Sequence, residues 1–240
     1  MVASGGDPTV LRSHRPGAAA CSSLQGDPSN WYICTTMPTT TPTRARPRGT
    51  ARREALLDAV LRLVAEVGVD AVTHRRVAEV AGLPLASTTY WFESKEHLLI
   101  AALERAAGED IERLRAFLGE TAAQAGDPIG QARDPVGLAV AAILGLGDGQ
   151  SSRGWLLATY ALMLEAARMP ALRDVTMRWT DAYLEAIPPL LAAAGSRHPR
   201  SDAELLLAAA DGLLVEQLAT GDASDLAPRL RRLADALVKA

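Results

Sequence analysis

The feature that most constrains this chain is a break, Gly82-Leu83-Pro84, set between two short helical stretches. Thr73 has the side chain to cap a helix over His74–Ala81, whose buried side would be Val77, Ala78 and Ala81. Pro84 cannot continue that helix but suits the start of another, over Leu85–Trp91. Seven residues are too few for a helix to stand alone, so neighbours must hold it. Ser94 then caps a fourth helix, Lys95–Leu118, which would bury Leu98, Leu99, Ala102, Leu103, Ala106, Ile111 and Leu114. Before the pair, Leu56, Val60, Leu63, Val64 and Val67 mark one face of a helix starting near Thr50. Glu54, Asp58, Arg62 and Glu66 mark its other face, with Asp58 and Arg62 spaced as an acid–base pair, and Gly68 stops it. Four helices in about seventy residues, with a Gly-containing turn between the second and third, read as a helix-turn-helix domain.

Beyond it, Gly119–Arg133 reads as a loop, followed by helices near 134–147, 152–168, 171–194, 201–219 and 224–239. Asp134, Ser151, Ser201 and Ser224 are candidate N-caps, Gly195 and Gly221 candidate stops. Pro170 divides two of these helices, and Pro188-Pro189 should interrupt the long one. No segment alternates with period two, so the expectation is an all-α protein with no sheet. Residues 1–43 are rich in Pro, Thr, Ser and Gly without a period and read as a disordered extension. Met37 is a natural start for a short arm, so residues 1–36 read as an over-extended gene start. The expected domains are residues 44–93, carrying the helix-turn-helix, and a helical body over 94–240.

Charge separates the same regions. The net charge is −3, from 25 basic and 28 acidic residues. Residues 44–105 carry ten basic and eight acidic groups, whereas 106–240 carry thirteen and eighteen. Arg44, Arg46, Arg48, Arg52 and Arg53 fall within ten residues. A basic arm on an acidic body fits a polyanion touching one end only, and equally a solvated arm. Cys21 and Cys34 are the only cysteines, which removes disulfides, thiol catalysis and Cys-ligated zinc from the body. The longest apolar run, Leu138–Leu144, is far short of a membrane span, and residues 1–30 lack a secretory apolar region. The expected location is the cytoplasm. There is no Gly-rich phosphate loop, Gly-x-Ser-x-Gly elbow or metal-spaced histidine pair, so no enzyme, catalytic residue, metal or cofactor is expected.

The segment Thr73–Leu99, THRRVAEVAGLPLASTTYWFESKEHLL, resembles the tetracycline-repressor (TetR) family of transcriptional regulators. The resemblance rests on the capped helix with its Val-Ala and Ala-Gly pairs, the short helix ending in aromatics and Phe92, and Ser94-Lys95-Glu96 before Leu98-Leu99. It covers residues 50–105, while Tyr160–Arg173 is similar to one C-terminal subclass. It implies a ligand-responsive repressor that binds a palindromic duplex as a homodimer and is released by a small apolar effector. By the same resemblance Arg75 reaches a base or phosphate, and Thr73, Tyr90 and Lys95 touch phosphates; Arg48 joins the candidate DNA contacts as part of the basic arm. From the third helix Leu85, Ala86, Ser87, Thr89 and Tyr90 present small or amphipathic groups to a major groove. Val77, Thr88, Phe92 and Leu98 are the anchors beneath them, and Trp91 rather than Tyr90 is the expected buried aromatic. The chain departs from the family's pattern at Thr89, where an aromatic is common, at Ala86 in place of Gly, and at Leu85 in place of a polar reader. These departures leave the operator sequence open.

In the body, Leu226, Leu230, Leu233 and Leu237 step as a narrow apolar seam along the last helix. Leu206, Ala209, Ala210, Leu213, Leu214 and Gln217 make a similar face one helix earlier. Two such helices per subunit would form a four-helix dimer interface; the alternative is that both faces fill the subunit's own core. Trp155, Thr159, Tyr160 and Met163 on one helix, with Met177, Trp179 and Tyr183 on the next, either line an apolar effector pocket or are ordinary core. Periodicity does not separate the two. A helical protein-interaction module without DNA binding is the competing function.

Overall fold

The computed structural model describes residues 48–125, 134–145, 152–222 and 224–240. The extension, Arg44, Arg46, both cysteines and Ser151 lie outside the described residues. All regular structure among the described residues is helical: α1 (Arg48–Val67), α2 (His74–Ala81), α3 (Leu85–Trp91), α4 (Lys95–Ala125), α5 (Pro135–Ile143), α6 (Arg153–Glu165), α7 (Pro170–Ala186), α8 (Pro188–Ala193), α9 (Pro199–Thr220) and α10 (Ala227–Lys239), with one 3-10 turn, Val69–Ala71.

Local chemistry explains the boundaries. Thr73 Oγ1 accepts from the Arg76 N–H and opens α2, and Gly82 closes it at φ 64, a left-handed conformation that favours glycine. Ser94 Oγ accepts from the His97 N–H to cap α4. Pro188 at the first position of α8 interrupts the long segment, as the double proline predicts. Other expectations shift. The α4 helix continues through Gly119 to Ala125, because one glycine costs an exposed helix only about 1 kcal/mol. Ser152 caps α6. Ser201 and Ser224 cap nothing: α9 begins at Pro199 and α10 at Ala227, whose N–H is taken by Asp225 Oδ1.

Two apolar clusters hold the chain together. The first joins α1, α2 and the first half of α4 to α6 and α7, with Leu56, Leu57, Phe92, Leu98, Leu103, Leu162 and Leu172 essentially inaccessible. The second joins the far end of α4 to α5, α8, α9 and α10 around Leu114, Ile187, Leu190, Leu206 and Leu230. At about 1.5 Å per residue, α4 is a rod of roughly 46 Å that enters both. The packing therefore runs continuously across residues 93 and 94. Val67, expected on the buried face of α1, is 51% exposed because the helix ends there. Asp58 pairs with Arg105 of α4 at 2.8 Å instead of with Arg62. Arg105 also donates to the Glu54 carbonyl at 2.8 Å and to Glu109 Oε1 at 2.8 Å, so it clamps α1 to α4.

Asp134 is the corresponding tie in the distal half. Its Oδ1 accepts from the Gly137 N–H at 2.9 Å, capping α5, and its Oδ2 meets the Arg231 guanidinium of α10 at 2.7 Å. A methyl group at Gly137 would run into this carboxylate. The Gly137 N–H, and then Arg231, hold the Asp134 carboxyl below its ordinary pKa. A carboxyl whose folded pKa is lowered adds stability above the unfolded value, and that stability is lost as pH falls through the folded one. Asp134→Ala should therefore cost about 1 kcal/mol at pH 7, and the gap to the native chain should narrow below about pH 4. Thermal melts of both proteins at pH 7 and pH 3 measure this.

Candidate nucleic-acid interface and ligand region

The short α3 is held from below. Thr88 is fully buried and its hydroxyl donates to the Leu85 carbonyl at 2.7 Å. Phe92 seals the end of the helix, with Arg53 of α1 stacked 5.6 Å from its ring and His97 edge-on at 5.4 Å. Trp91 is half-buried against α1 at Gly49, while Tyr90 is 78% exposed and meets Trp91 edge-to-face at 5.0 Å. What remains outward on α3 is Leu85, Ala86, Thr89 and Tyr90, with Ser87 half-buried; the Thr89 hydroxyl donates back to the Ala86 carbonyl. Arg75 projects from α2 and is tied only to Glu79, at 3.1 Å, with its side chain 83% exposed. Such surface pairs are worth little and release the guanidinium cheaply. Thr73 is exposed at the same edge. Lys95, at the start of α4, donates to the Asp70 carbonyl at 3.2 Å. Arg48 is the first residue of α1. Thr73, Arg75, the outer face of α3 and Lys95 are thus carried by α2, α3 and the start of α4, consecutive helices joined by short turns. These helices offer hydroxyls, a phenol, cations and helix N-termini, which is chemistry for phosphates and base edges.

The ligand-region residues divide. Trp155 and Trp179 meet edge-to-face at 5.9 Å between α6 and α7, and Tyr183 lies one turn beyond Trp179. Thr159 is buried, its hydroxyl donating to the carbonyls of Trp155 and Leu156. Met163 packs half-buried against the same core. Met177 does not join them: two residues from Trp179, it points away, is 57% exposed and borders an open groove of about 300 Å³ with Ala166, Arg173 and Thr180.

Three charged residues that the sequence reading missed organise this cluster. Asp110 of α4 is buried; its Oδ2 accepts from Trp179 Nε1 at 2.8 Å and from the Tyr183 hydroxyl at 2.7 Å. Its Oδ1 pairs with Arg113 at 2.9 Å, and the Arg113 guanidinium lies 5.1 Å above the Trp155 ring. Also from α6, the Tyr160 hydroxyl donates to Asp211 of α9 at 2.9 Å. Burial, and then the neighbouring carboxylates, push both phenols well above their ordinary pKa, so they act as donors throughout the physiological range. A signal for Asp110 was present: it occupies the core register that runs Leu103, Ala106, Ala107, Leu114.

The expected dimer faces need correction. Leu206, Ala210, Leu226 and Leu230 are buried inside their own chain, while Ala209, Leu213, Leu214, Gln217, Leu233 and Leu237 are half-buried. The Gln217 amide donates to the Ser224 carbonyl at 2.9 Å. The stripe α9 presents to solvent is rotated from the expected one: Leu205, Ala208, Gly212, Val215 and Ala219, stepping by three and four. No described group of three or more His, Cys, Asp or Glu residues is placed to hold a metal. No described helix is long and apolar enough to cross a membrane.

Known proteins share this arrangement. Residues 56–102 match the profile described as bacterial regulatory proteins, tetR family, and residues 131–240 match a tetracyclin repressor-like C-terminal domain. The transcriptional repressor KstR of Mycolicibacterium smegmatis is 38% identical over 77 residues, which span 32% of this chain and 36% of that protein. The match thus covers about a third of that curated relative. A solved TetR-family member from Streptomyces coelicolor A3, SCO1917, is 30% identical with a TM-score of 0.60, over 78% of this chain and 97% of that one. The multidrug binding protein EbrR, solved with imidazole, is 31% identical with a TM-score of 0.57, over 78% and 94%. Profiles at both ends, and a relative matched over nearly its whole length, put this chain in the tetR family of bacterial regulatory proteins, which are DNA-binding transcriptional regulators and not enzymes.

Proposed function

We propose that this chain is a repressor that binds a palindromic duplex as a homodimer through the 44–93 region and Lys95, and that a small molecule bound in the 94–240 body releases it. The observation that carries the reading is the outward set on α2, α3 and the start of α4, assembled over a fully buried Thr88 and Phe92. Arg75 addresses a base edge or phosphate, Tyr90, Thr73 and Lys95 take phosphates, and Leu85 and Ala86 face the floor of the groove. Arg48 and the basic residues before it add phosphate contacts. Relatives support the reading in kind: KstR is named a repressor, and EbrR is described as binding drugs.

The ligand would bind between α4, α6 and α7, where the aromatic cluster lies. From there α4 leads to the interface, because Arg105 ties it to Asp58 and the Glu54 carbonyl of α1. The α9 stripe is the face proposed for the second subunit. Leu205 and Val215 are 53% and 47% exposed, and a Cβ at Gly212 would have no neighbour within 4 Å, which leaves room for another backbone.

Selection of bound fragments from random duplexes tests the reading and yields the site. Binding should fall with salt at a log–log slope of about −0.9 per phosphate neutralised. Arg75→Ala should cost roughly 1–3 kcal/mol and relax preference at one base pair, whereas Lys95→Ala should weaken all sites alike. Salt-insensitive binding, or no binding to any duplex, overturns the reading. For the second subunit, Val215→Glu would place two carboxylates in an apolar contact and should raise the dimer dissociation constant at least about tenfold. Its thermal midpoint at low protein concentration should stay near the native value, since the side chain belongs to neither apolar cluster of its own chain. Sedimentation equilibrium reads the outcome, and unchanged dimerisation moves the interface elsewhere.

A further inference from the structure

The cluster around Asp110 is more than an apolar wall. A carboxylate stands in the core register of α4 and faces two indoles and a phenol, and its Oδ2 is fully used by Trp179 and Tyr183. Its Oδ1 is different: its partner among the described residues is Arg113, from the same helix three residues on. That guanidinium lies over the Trp155 face at 5.1 Å while its side chain remains 43% exposed. The Trp155 indole N–H is buried and meets no acceptor among the described residues, so this ring is engaged by its face and not by its polar edge. A cation set between an aromatic face and a buried carboxylate is the arrangement by which proteins bind organic cations. Here the protein supplies the cation itself.

We infer that the effector is an organic cation with an apolar body, which takes the place of the Arg113 guanidinium between Trp155 and Asp110. This rests on the ligand-responsive reading above and specifies its ligand class. The exchange is favourable for a stated reason. Arg113 starts half in water and returns to it at small cost, whereas a weakly hydrated quaternary ammonium gains the carboxylate and the ring faces together. Asp110 is never left uncompensated, since one cation leaves as the other arrives. A neutral molecule of the same shape would have to leave the Arg113 pair intact, or expel Arg113 and strand a buried carboxylate. Either path penalises it. Asp211, held by Tyr160 of α6, adds a second carboxylate to the electrostatic field that favours a cation.

The test uses the full chain and two probes that differ in charge alone: benzyltrimethylammonium, and neopentylbenzene as its neutral isostere. Quenching of tryptophan emission reports binding, because Trp155 and Trp179 lie at the site. The cation should bind at least about tenfold more tightly than the neutral probe. Asp110→Asn keeps acceptors for Trp179 and Tyr183 but removes the charge, and should abolish that preference. Arg113→Ala removes the resident cation and should tighten benzyltrimethylammonium severalfold, a gain that a merely structural role for Arg113 would not give and that stands even where Asp110→Asn does not fold. Equal binding of the two probes, no binding of the cation, or weaker cation binding by Arg113→Ala overturns the inference. Anisotropy of a labelled duplex, measured in parallel, separates the two claims. Saturation by the cation without DNA release sinks the regulatory reading and leaves the cation site. Release by the neutral probe alone does the reverse.

Discussion

The proposed interface depends on a packing contact that contains none of its residues: α1 lying along α6 in the proximal core. The proposed reading helix α3 has seven residues and one fully buried side chain, Thr88, so it has no position of its own. It takes its place from α1, α2 and the start of α4, and α1 takes its place from α6 and α4. Leu56, Leu57, Val60, Leu63 and Val64 on α1 share one apolar cluster with Ala158, Leu162 and Leu172 of the body. Close-packed cores transmit displacement because they have few voids to absorb it. A shift of α6 or α4 is thereby a shift of α3.

Charge placement follows the same route. Arg105 reaches three acceptors, the Glu54 carbonyl, Asp58 and Glu109, and is mostly buried while doing so. An exposed pair would contribute little, but a guanidinium with several charge-assisted hydrogen bonds at a helix crossing fixes geometry as well as energy. Asp110 lies five residues further along α4 and Lys95 ten residues before Arg105. One helix therefore carries the proposed phosphate contact, the clamp on α1 and the carboxylate at the aromatic cluster. The two indoles sit on the helices that flank it, which is how a change at Asp110 would reach Lys95 without any long path through side chains.

Much of this was legible in the sequence, and the failures have physical reasons. Local signals decided the head: Thr73, Gly82, Pro84 and Ser94 act within one helical turn, and each marks a boundary near the place it takes in the structure. The double proline at 188–189 was equally direct. Ser201 and Ser224 failed because capping depends on where the next tertiary contact starts the helix, and hydroxyls are common before helices that do not use them. The α9 and α10 faces divided more instructively. Both helices are apolar on more than one side, and periodicity counts apolar residues without saying which neighbour covers them. The larger Leu206 and Leu230 went to the chain's own core, leaving the smaller Leu205–Ala219 stripe outward. Asp110 was passed over since a buried acid gives no periodic signal of its own; it is visible only as the wrong residue in a register of alanines and leucines.

That misfit says what a resting regulator of this construction requires. A buried acid among aromatics destabilises a fold unless something compensates it, and in the unliganded chain the compensation has to be internal. Arg113 supplies it from one turn away, on the same helix, and meets the neighbouring α6 at the face of Trp155. Trp179 and Tyr183 then bind the acid from α7, which joins helices. The carboxylate is therefore held on one side by groups that fix the body and on the other by a side chain that is half in solvent and otherwise rests on the Trp155 face. The asymmetry places the weak link at Arg113. An occupant that replaced Trp179 or Tyr183 would loosen α7 from α4. One that replaces Arg113 leaves those bonds in place and adds bulk between α4 and α6, the two helices on which α1 rests.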